Sequence, residues 1–382
     1  MNNTELRRLT LKELDRFVSR RHEAAPWAGR EVIVYGAGSF GRDVARALLV
    51  QPNVTLLGFL DQNGSEQGVL DDLPAHRLDS AMAKRWLTER PVVIIGIYNH
   101  LTSLREIRAQ LTQFGFSTVL TPMEAYPHLS RQLGKRFWLG TPEDYAAAAG
   151  PIEKVSALWA DEESESLFFE TLLYRFGIDL DAVTPPIDVS FQYADPTLPR
   201  WQEPLRFIDG GAYTGDTLQS LLQHGYHFAA IHAFEPDAEN FRKLSVTASA
   251  FPEETNISLW PCGLWSSTTR MSFSDGLDTG SKLTEAGPSL VPVVALDDVL
   301  HGQAVSLMKL DVEGAEPEAL RGARHLIEKH RPGLAVCLYH EPKHLWSIPL
   351  WVNDLSLDYH LYCRTYRHST FETVLYAIPQ AR

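Results

Sequence analysis

Apolar residues along the chain follow two spacings in alternation, and this alternation predicts an α/β protein. Short, mainly apolar runs are typical of strands buried in a parallel sheet, and here a longer segment with apolar residues three or four positions apart, which is typical of a helix, follows such runs. The strand-like runs are residues 31–35, 54–60, 91–97, 206–208, 229–234, 306–311 and 333–338. Their order predicts two doubly wound, Rossmann-like sheets.

The same pattern divides the chain into four parts. Residues 1–29 are polar with leucines at helical spacing, which predicts an amphipathic helix. Residues 30–130 and 201–382 each carry strand and helix patterns in alternation and predict two α/β domains. Residues 131–200 combine helix-spaced apolar positions with prolines, so they predict a helical connector.

A glycine-rich turn follows the first predicted strand. Gly36, Gly38 and Gly41 form a GxGxxG sequence between that strand and a helix, and Asp61 ends the next strand. This order is typical of a mononucleotide-binding unit, in which the helix N-terminus receives a diphosphate and the acid binds the ribose. A packing role for the glycines alone is the alternative interpretation.

Residues 32–129 resemble the N-terminal domain of sugar O-acyltransferases that hold nucleotide sugars, and less specifically an NAD-binding module. The resemblance lies in the VxGAGxxG opening, the GFLD strand end and the VIIGIxN strand. It implies a nucleotide or nucleotide sugar bound by Gly36, Gly38, Asp61 and Asn99. An oxidoreductase that acts from this domain is therefore an alternative function, although no dehydrogenase-type substrate domain follows it.

A second strand, glycine turn and helix lie at residues 206–217, and Glu235 ends the following strand. Gly210 and Gly211 allow the backbone to approach a ligand closely. An acid at the end of the second strand is placed to accept both hydroxyls of a ribose.

A run of charged residues follows the strand at 306–311. The sequence KxDVEGAE supplies a base and three acids: Lys309, Asp311, Glu313 and Glu316. Carboxylates buried together need a cation, a proton or a hydrogen-bonding ligand. His340 and Glu341 follow the next buried strand, so they are expected at the same edge of the sheet.

Residues 193–379 resemble the FkbM-type family of S-adenosylmethionine (SAM)-dependent methyltransferases. The FIDGGAYTGDT turn, the FEPxxxN sequence and the KxDVEGAE run carry the resemblance. It implies SAM as cofactor and a class I SAM-dependent methyltransferase fold, whose last strand is antiparallel. The implied cofactor contacts are Asp209, Gly210, Gly211, Tyr213, Thr214, Glu235 and Pro236, with Tyr193 over the cofactor entrance. The implied acceptor contacts are Lys309, Glu313, Glu316 and Glu341.

The expected reaction is O-methylation of a hydroxyl group. His340 is the candidate general base, because a neutral imidazole titrates near neutral pH, and Asp311 is expected beside it. The expected site contains no metal. The alternative mechanism uses a magnesium ion that bridges Asp311, Glu313 or Glu316 to the acceptor hydroxyl groups.

The amino-acid composition limits which kinds of binding partner are expected. The formal net charge is −13, from 35 basic and 48 acidic residues, which argues against a nucleic-acid partner. No CxxC pair and no apolar run long enough to span a bilayer occur, so we expect a cytoplasmic protein. The expected acceptor is a small molecule or glycan, such as a sugar, a nucleotide-linked sugar or a natural product. A non-catalytic protein that binds SAM or a nucleotide, and assembly as a homo-oligomer, are left open.

Overall fold

The computed structural model describes residues 1–70, 72–178, 180, 186–252, 255–274, 282–284 and 289–380. The helices are α1 (Asn3–Ser19), α2 (Ser39–Leu49), α3 (Ala81–Glu89), α4 (Leu104–Phe114), α5 (Pro122–Leu133), α6 (Ala149–Ser156), α7 (Glu162–Arg175), α8 (Asp216–Gln223), α9 (Ala238–Ala248), α10 (Leu296–Val299), α11 (Glu316–Gly322), α12 (Arg324–His330) and α13 (His344–Asp354). No helix in these ranges is long and apolar enough to cross a membrane.

The strands alternate with the helices. They are β1 (Glu31–Tyr35), β2 (Thr55–Leu60), β3 (Ser65–Leu70), β4 (Leu73–His76), β5 (Val92–Ile95), β6 (Thr118–Leu120), β7 (Leu205–Gly210), β8 (Phe228–Phe234), β9 (Asn256–Trp260), β10 (Gly263–Leu264), β11 (Thr269–Ser274), β12 (Lys282–Thr284), β13 (Ser289–Val294), β14 (Leu307–Leu310), β15 (Gly333–Cys337), β16 (Tyr359–Thr365) and β17 (Thr373–Pro379).

The first sheet has the order β3-β4-β2-β1-β5-β6. β1 lies parallel to both β2 and β5, and β6 continues the sheet in parallel. Val32, Ile33 and Val34 of β1 are fully buried, because helices cover both faces of the sheet. The predicted Rossmann-like order of strand, glycine turn, helix and strand is present here.

The second sheet has the order β16-β17-β15-β14-β7-β8-β9. β14, β7, β8 and β9 are parallel neighbours, whereas β17 runs antiparallel to both β15 and β16. The expected antiparallel last strand is therefore confirmed. Cys337 at the carboxyl end of β15 pairs with Val374 at the start of β17, so residues just before β17 reach the edge where the parallel strands end.

A four-stranded sheet, β10-β13-β11-β12, lies beside the second sheet. The helices α1 and α7 pack together, and the Asn3 side-chain amide donates a hydrogen bond to Glu165 Oε2 at 2.8 Å. Leu6, Leu14 and Phe17 form the buried face of α1, as the helical spacing predicted.

The loops of the first sheet contact the second domain through aromatic side chains. Tyr98 follows β5, and its ring centroid lies 5.1 Å from that of Phe371, which precedes β17. Phe137 lies 5.4 Å from Phe371 and 6.1 Å from Tyr339. The carboxyl edge of the second sheet is therefore enclosed partly by residues of the first domain.

Candidate active site

A cavity of about 610 Å³ lies at the carboxyl edge of the second sheet. Its walls come from the ends of β7, β8 and β14, the residues before β17, the connector and one loop of the first domain. The polar lining residues are His100, Gln192, Tyr193, Tyr213, Asp216, Thr217, Glu235, Asn240, Lys309, Asp311, Glu313, Tyr339, Arg367 and Glu372.

The glycine turn after β7 brings two strand ends close together. Gly211 has φ +74°, and a Cβ atom there would lie 1.9 Å from the carbonyl oxygen of Asp311, so no other residue fits without moving the backbone. Tyr213 also adopts a left-handed backbone conformation, with φ 47°, which is uncommon for a non-glycine residue. This strained turn forms part of the cavity wall.

Glu235 holds that turn in place. Its two carboxylate oxygens accept hydrogen bonds from the backbone N–H groups of Tyr213 and Asp237, each at 2.8 Å. Burial raises the pKa of Glu235 to about 7, against the effect of these hydrogen bonds. Each oxygen keeps a further lone pair, so the carboxylate can also accept two hydroxyl groups of a ligand in the cavity. Pro236 lines the same wall.

Lys309 and Asp209 form a buried ion pair beneath the turn. Lys309 Nζ lies 3.1 Å from Asp209 Oδ1 and donates to the carbonyl oxygen of Gly211 at 2.6 Å. Burial alone lowers the pKa of Lys309, but the carboxylates of Asp209, Asp311 and Asp216 raise it above its usual value. The ammonium group is therefore charged and fixes the position of the Gly211 carbonyl.

Asp209, Gly210 and Thr214, three of the expected cofactor contacts, do not line this cavity. Asp209 is fully buried, and it is not among the residues that line the cavity. The carbonyl oxygen of Thr214 instead accepts a hydrogen bond from the Thr247 hydroxyl at 2.7 Å, and Thr214 is not among the lining residues either. Asp209 acts on the cavity through Lys309, because the buried cation needs a buried counter-charge.

Asp311 lies at the centre of a polar cluster at the end of β14. Its carboxylate accepts hydrogen bonds from the Tyr339 hydroxyl at 3.2 Å and the Tyr193 hydroxyl at 3.4 Å. His340 Nε2 lies 3.4 Å from the same carboxylate. Tyr193 lines the cavity, with a left-handed backbone at φ 68°.

Glu372 joins this cluster, although sequence analysis did not identify it. Its carboxylate lies 3.2 Å from the Tyr339 hydroxyl and accepts from the Gln192 amide at 2.8 Å. The Tyr339 hydroxyl lies 3.2 Å from both Asp311 and Glu372, and its single proton can be donated to only one of the two carboxyl groups at a time. Burial, and then the charge of Asp311, raise the pKa of Glu372 to about 7. A carboxyl group with this pKa can exchange a proton near neutral pH, as can Glu235 and Glu313, whose pKa values are also raised to about 7.

His340 does not fit the predicted role of neutral general base. Nδ1 lies 2.8 Å from Glu316 Oε1, while Nε2 lies 3.4 Å from Asp311 and 3.6 Å from Glu313. Burial lowers the pKa of His340, but these carboxylates raise it to about 10. At neutral pH the buried imidazole is therefore an imidazolium that holds Asp311 and Glu313 in position, and it does not line the cavity.

The other acids predicted for the acceptor have different surroundings. Glu313 lines the cavity, and burial raises its pKa to about 7. Glu316 is fully buried, and its pKa falls to about 2 because His340 outweighs the opposing effect of burial. Glu341 lies in a neighbouring cavity and pairs with Lys135 at 3.0 Å and Lys343 at 3.1 Å. Only Glu313 and Lys309 of the predicted acceptor residues thus reach the main cavity.

Two groups of side chains are close enough to share a cation. The ligand-type atoms of Asp311, Glu316 and His340 lie within 4.8 Å of one another, as do those of Asp311, Cys337 and Glu372. The positive charge of the His340 imidazolium already lies between the carboxylates of the first group. Metal-free catalysis stays a prediction that metal chelation would test.

The first domain has its own cavity, of about 770 Å³, at the carboxyl edge of the first sheet. Gly36, Gly38, Asp61 and Asn99 all line it. Asp61 accepts hydrogen bonds from the backbone N–H groups of Ala37 at 2.9 Å and Asn63 at 3.0 Å, which repeats the arrangement around Glu235.

The glycines of this first turn differ in their packing. A Cβ atom at Gly41 would lie 2.0 Å from the carbonyl oxygen of Gly36, so Gly41 is required for close packing of helix and strand. A Cβ atom at Gly38, in contrast, would have no other atom within 4 Å, and the φ of Gly38 is an ordinary −69°. Packing therefore explains Gly41 but gives no reason for glycine at position 38.

Comparisons with known proteins agree with the fold. Residues 209–359 match the family model of the methyltransferase FkbM domain. A crystal structure of methyltransferase FkbM from Methylobacillus flagellatus KT superposes with a TM-score of 0.78 at 19% identity, covering 98% of this chain and 100% of that chain. The DAP dehydrogenase of C. glutamicum has a TM-score of only 0.22 at 14% identity, over 61% of this chain and 71% of that chain, and supports no inference. No curated protein sequence matches the chain.

Proposed function

We propose, from the premise that residues 209–359 form a methyltransferase FkbM domain, that the chain transfers a methyl group from SAM to a hydroxyl group of its acceptor. The observation that carries the proposal is the cavity with Glu235 at one end and the Asp311–Tyr339–Glu372 cluster at the other. The first end suits a nucleoside, and the second suits removal of a hydroxyl proton.

The cavity fits SAM by the chemistry of its donors and acceptors. The carboxylate of Glu235 has free lone pairs for a ribose diol, and Gly211 brings the backbone of the glycine turn to the cavity wall. Asn240 and Pro236 line the wall next to Glu235. When bound, SAM supplies a methyl group on a positively charged sulfur.

The protein's contribution is to position the acceptor and to take its proton. In this proposal the acceptor hydroxyl would lie against Glu372 and Asp311, and its proton would pass to the ionised Glu372 carboxylate as the oxygen–carbon bond forms and the methyl–sulfur bond of the donor breaks, with S-adenosylhomocysteine as the leaving group. Asp311 is held in place by Tyr193, Tyr339 and His340, which surround its carboxylate. A polyhydroxyl acceptor such as a sugar suits this wall of carboxylates and phenols, each of which can bond a hydroxyl group.

We further propose that the first domain binds a nucleoside diphosphate or a nucleotide sugar. The supporting observation is Gly38, which lies at the N-terminus of α2 with an ordinary φ and open space around its Cβ position. A side chain there would cost the fold little but would fill the space in which a diphosphate reaches the helix N-terminus. Asp61 lies at the end of β2, where it can bind the ribose.

Ligands released from the purified full chain test both proposals. We expect mass spectrometry to find SAM or its demethylated product, S-adenosylhomocysteine, at up to one molecule per chain. A nucleoside diphosphate or nucleotide sugar is expected beside it from the first domain. The Gly38→Val variant should lose the second ligand and keep the first, because Gly38 does not line the methyltransferase cavity.

Two outcomes would overturn these proposals separately. Recovery of NAD, with neither SAM nor S-adenosylhomocysteine, would favour the oxidoreductase alternative over a methyltransferase. A nucleotide retained undiminished by folded Gly38→Val would show that the first glycine turn does not hold its phosphates.

A further inference from the structure

We propose that the acceptor carries an anionic group, a phosphate or a carboxylate, and that Arg367 binds this group inside the methyl-transfer cavity. The inference rests on the proposed function, since it names the class of molecule that the same cavity accepts. It goes beyond that function because neither the glycine turn nor the Asp311–Tyr339–Glu372 cluster requires a charged acceptor.

Arg367 lies in the segment between β16 and β17, five residues before Glu372. Both residues line the cavity, and a short 3-10 turn, His368–Thr370, joins them. Five residues span at most about 17 Å even when fully extended. The guanidinium group and the proposed base are therefore close enough to contact one acceptor molecule.

Among the described residues, Arg367 takes part in no hydrogen bond or ion pair, although it is half-buried. The positive charge of Arg367 acts on one carboxylate of the connector, Asp188. Hydrogen bonds from Ser190, and then the charge of Arg367, lower the pKa of Asp188. Asp188 is exposed and already accepts from the Ser190 backbone at 2.8 Å. A guanidinium that lines a cavity without a bonded partner among the described residues can bind an anionic ligand.

The other charges of the cavity restrict where such an anion can lie. Five acids line the cavity: Asp216, Glu235, Asp311, Glu313 and Glu372. The second lining cation, Lys309, is already bonded to Asp209 and to the Gly211 carbonyl. Among the described lining residues, Arg367 is therefore the cation left to bind an anion, and the charge pattern favours one orientation of the acceptor.

His100 adds a contact from the first domain. It lines the same cavity as Arg367, and burial together with the nearby guanidinium charge lowers the pKa of His100. The neighbouring residue Asn99 lines the first-domain cavity instead. Consecutive Cα atoms are about 3.8 Å apart, so the two cavities meet at this loop. A phosphate bound at Arg367 could therefore belong either to a small phosphorylated acceptor or to a nucleotide sugar that reaches in from the first domain.

Binding of small anionic probes to the full chain tests the inference. The chain is first saturated with S-adenosylhomocysteine, and inorganic pyrophosphate, malonate and glycerol are then titrated in separate calorimetry experiments. We expect pyrophosphate or malonate to bind the wild type, and glycerol not to bind measurably. The Arg367→Gln variant should bind the same anion at least about 10-fold more weakly, since a charge-assisted bidentate contact is lost.

Controls separate this inference from the proposed function. Arg324→Gln, an exposed arginine paired with Glu328 on α12, should bind the anion as the wild type does. Failure of S-adenosylhomocysteine to bind the wild type would refute the methyltransferase function itself. Retention of S-adenosylhomocysteine with equal anion binding by wild type and Arg367→Gln, or with no anion binding by the wild type, would refute the Arg367 site alone.

The two sources of phosphate give different results with Gly38→Val. If a nucleotide sugar bridges the cavities, UDP-glucose should bind the wild type, and both Gly38→Val and Arg367→Gln should weaken it. If the acceptor is a small phosphorylated molecule, only Arg367→Gln should weaken pyrophosphate binding. Anion binding abolished by Gly38→Val but unchanged in Arg367→Gln would place the anion in the first domain and overturn the inference.

Discussion

Glu372→Gln should lower kcat about 10²–10⁴-fold while leaving SAM affinity close to that of the wild type, because the change removes the group that takes the acceptor proton. Glu372 lines the cavity and lies 3.2 Å from Tyr339, whereas Glu235 forms the nucleoside end. The glutamine amide has nearly the shape of the carboxylate, so it would keep most hydrogen bonds of the cluster. The measurement is kcat at saturating SAM, beside SAM affinity by calorimetry.

The pH dependence identifies the base. Because the pKa of Glu372 is raised to about 7, turnover should rise with pH as the carboxyl group loses its proton through this range. Saturating SAM separates this effect from Glu235, whose pKa is also about 7 but whose protonation acts on SAM binding. Glu313→Gln should retain the rise in activity with pH, and Glu372→Gln should lose it.

Glu328→Gln is the matched control, since this exposed acid on α12 pairs only with Arg324 among the described residues. Its kcat should equal that of the wild type. A Glu372→Gln variant that turns over at more than about a tenth of the wild-type rate would assign proton removal to another group, and Asp311→Asn would then be the next variant to measure.

Lys309→Met should lower the free energy of unfolding by about 3–5 kcal/mol, because it leaves the fully buried Asp209 carboxylate without its counter-charge. The methionine fills much of the space of the lysine stem, so the loss comes mainly from the stranded charge and from the missing bond to the Gly211 carbonyl. Urea unfolding of each variant gives the change in free energy.

The double variant Asp209→Asn, Lys309→Met separates stranded charge from lost packing. It should be more stable than Lys309→Met alone, since the buried charge is gone. Arg324→Met, which breaks the exposed pair with Glu328, should cost no more than about 1 kcal/mol. A similarly small effect of Lys309→Met would mean that the buried pair does not support the glycine turn.

The fold was predictable because its signals are local. In both α/β domains a buried strand, a glycine turn, a helix and a second strand ending in an acid follow one another within a short stretch of sequence. Asp61 and Glu235 therefore appear at the expected strand ends, and each accepts two backbone N–H groups. Such periodic, short-range patterns need no knowledge of distant contacts.

The errors at the site come from long-range contacts. A histidine at a strand end suggests a base, but the charge state of His340 depends on three acids that the fold brings around it. The surroundings of Asp209 are also set by a long-range contact. Asp209 pairs with Lys309 because β7 and β14 are neighbours in the sheet, and the sequence alone does not show which strands are neighbours. The sequence indicates which edge of the sheet carries the chemistry, while the surroundings decide the ionisation of each group.

Glu372 was missed for a topological reason. It precedes a strand, whereas residues that follow parallel strands are the ones expected at the ligand edge. The antiparallel direction of β17 reverses this rule, because its start lies beside the end of β15. Because an antiparallel last strand was expected, the residues just before it could have been predicted to lie at the ligand edge of the sheet. His100 could not have been found in this way, since its position depends on how the two domains pack.

The most direct test of the account is the titration of SAM into the full chain and into Glu235→Gln. The account predicts one SAM per wild-type chain and an affinity for the variant weaker by about 1.5–3 kcal/mol, or roughly 10- to 150-fold, since a charged acceptor for the ribose is lost. Glu239→Gln, an exposed acid on α9 paired with Lys243, should bind SAM as tightly as the wild type. No binding of SAM by the wild type, or equal affinity of the wild type and Glu235→Gln, would contradict the assignment of this cavity to SAM.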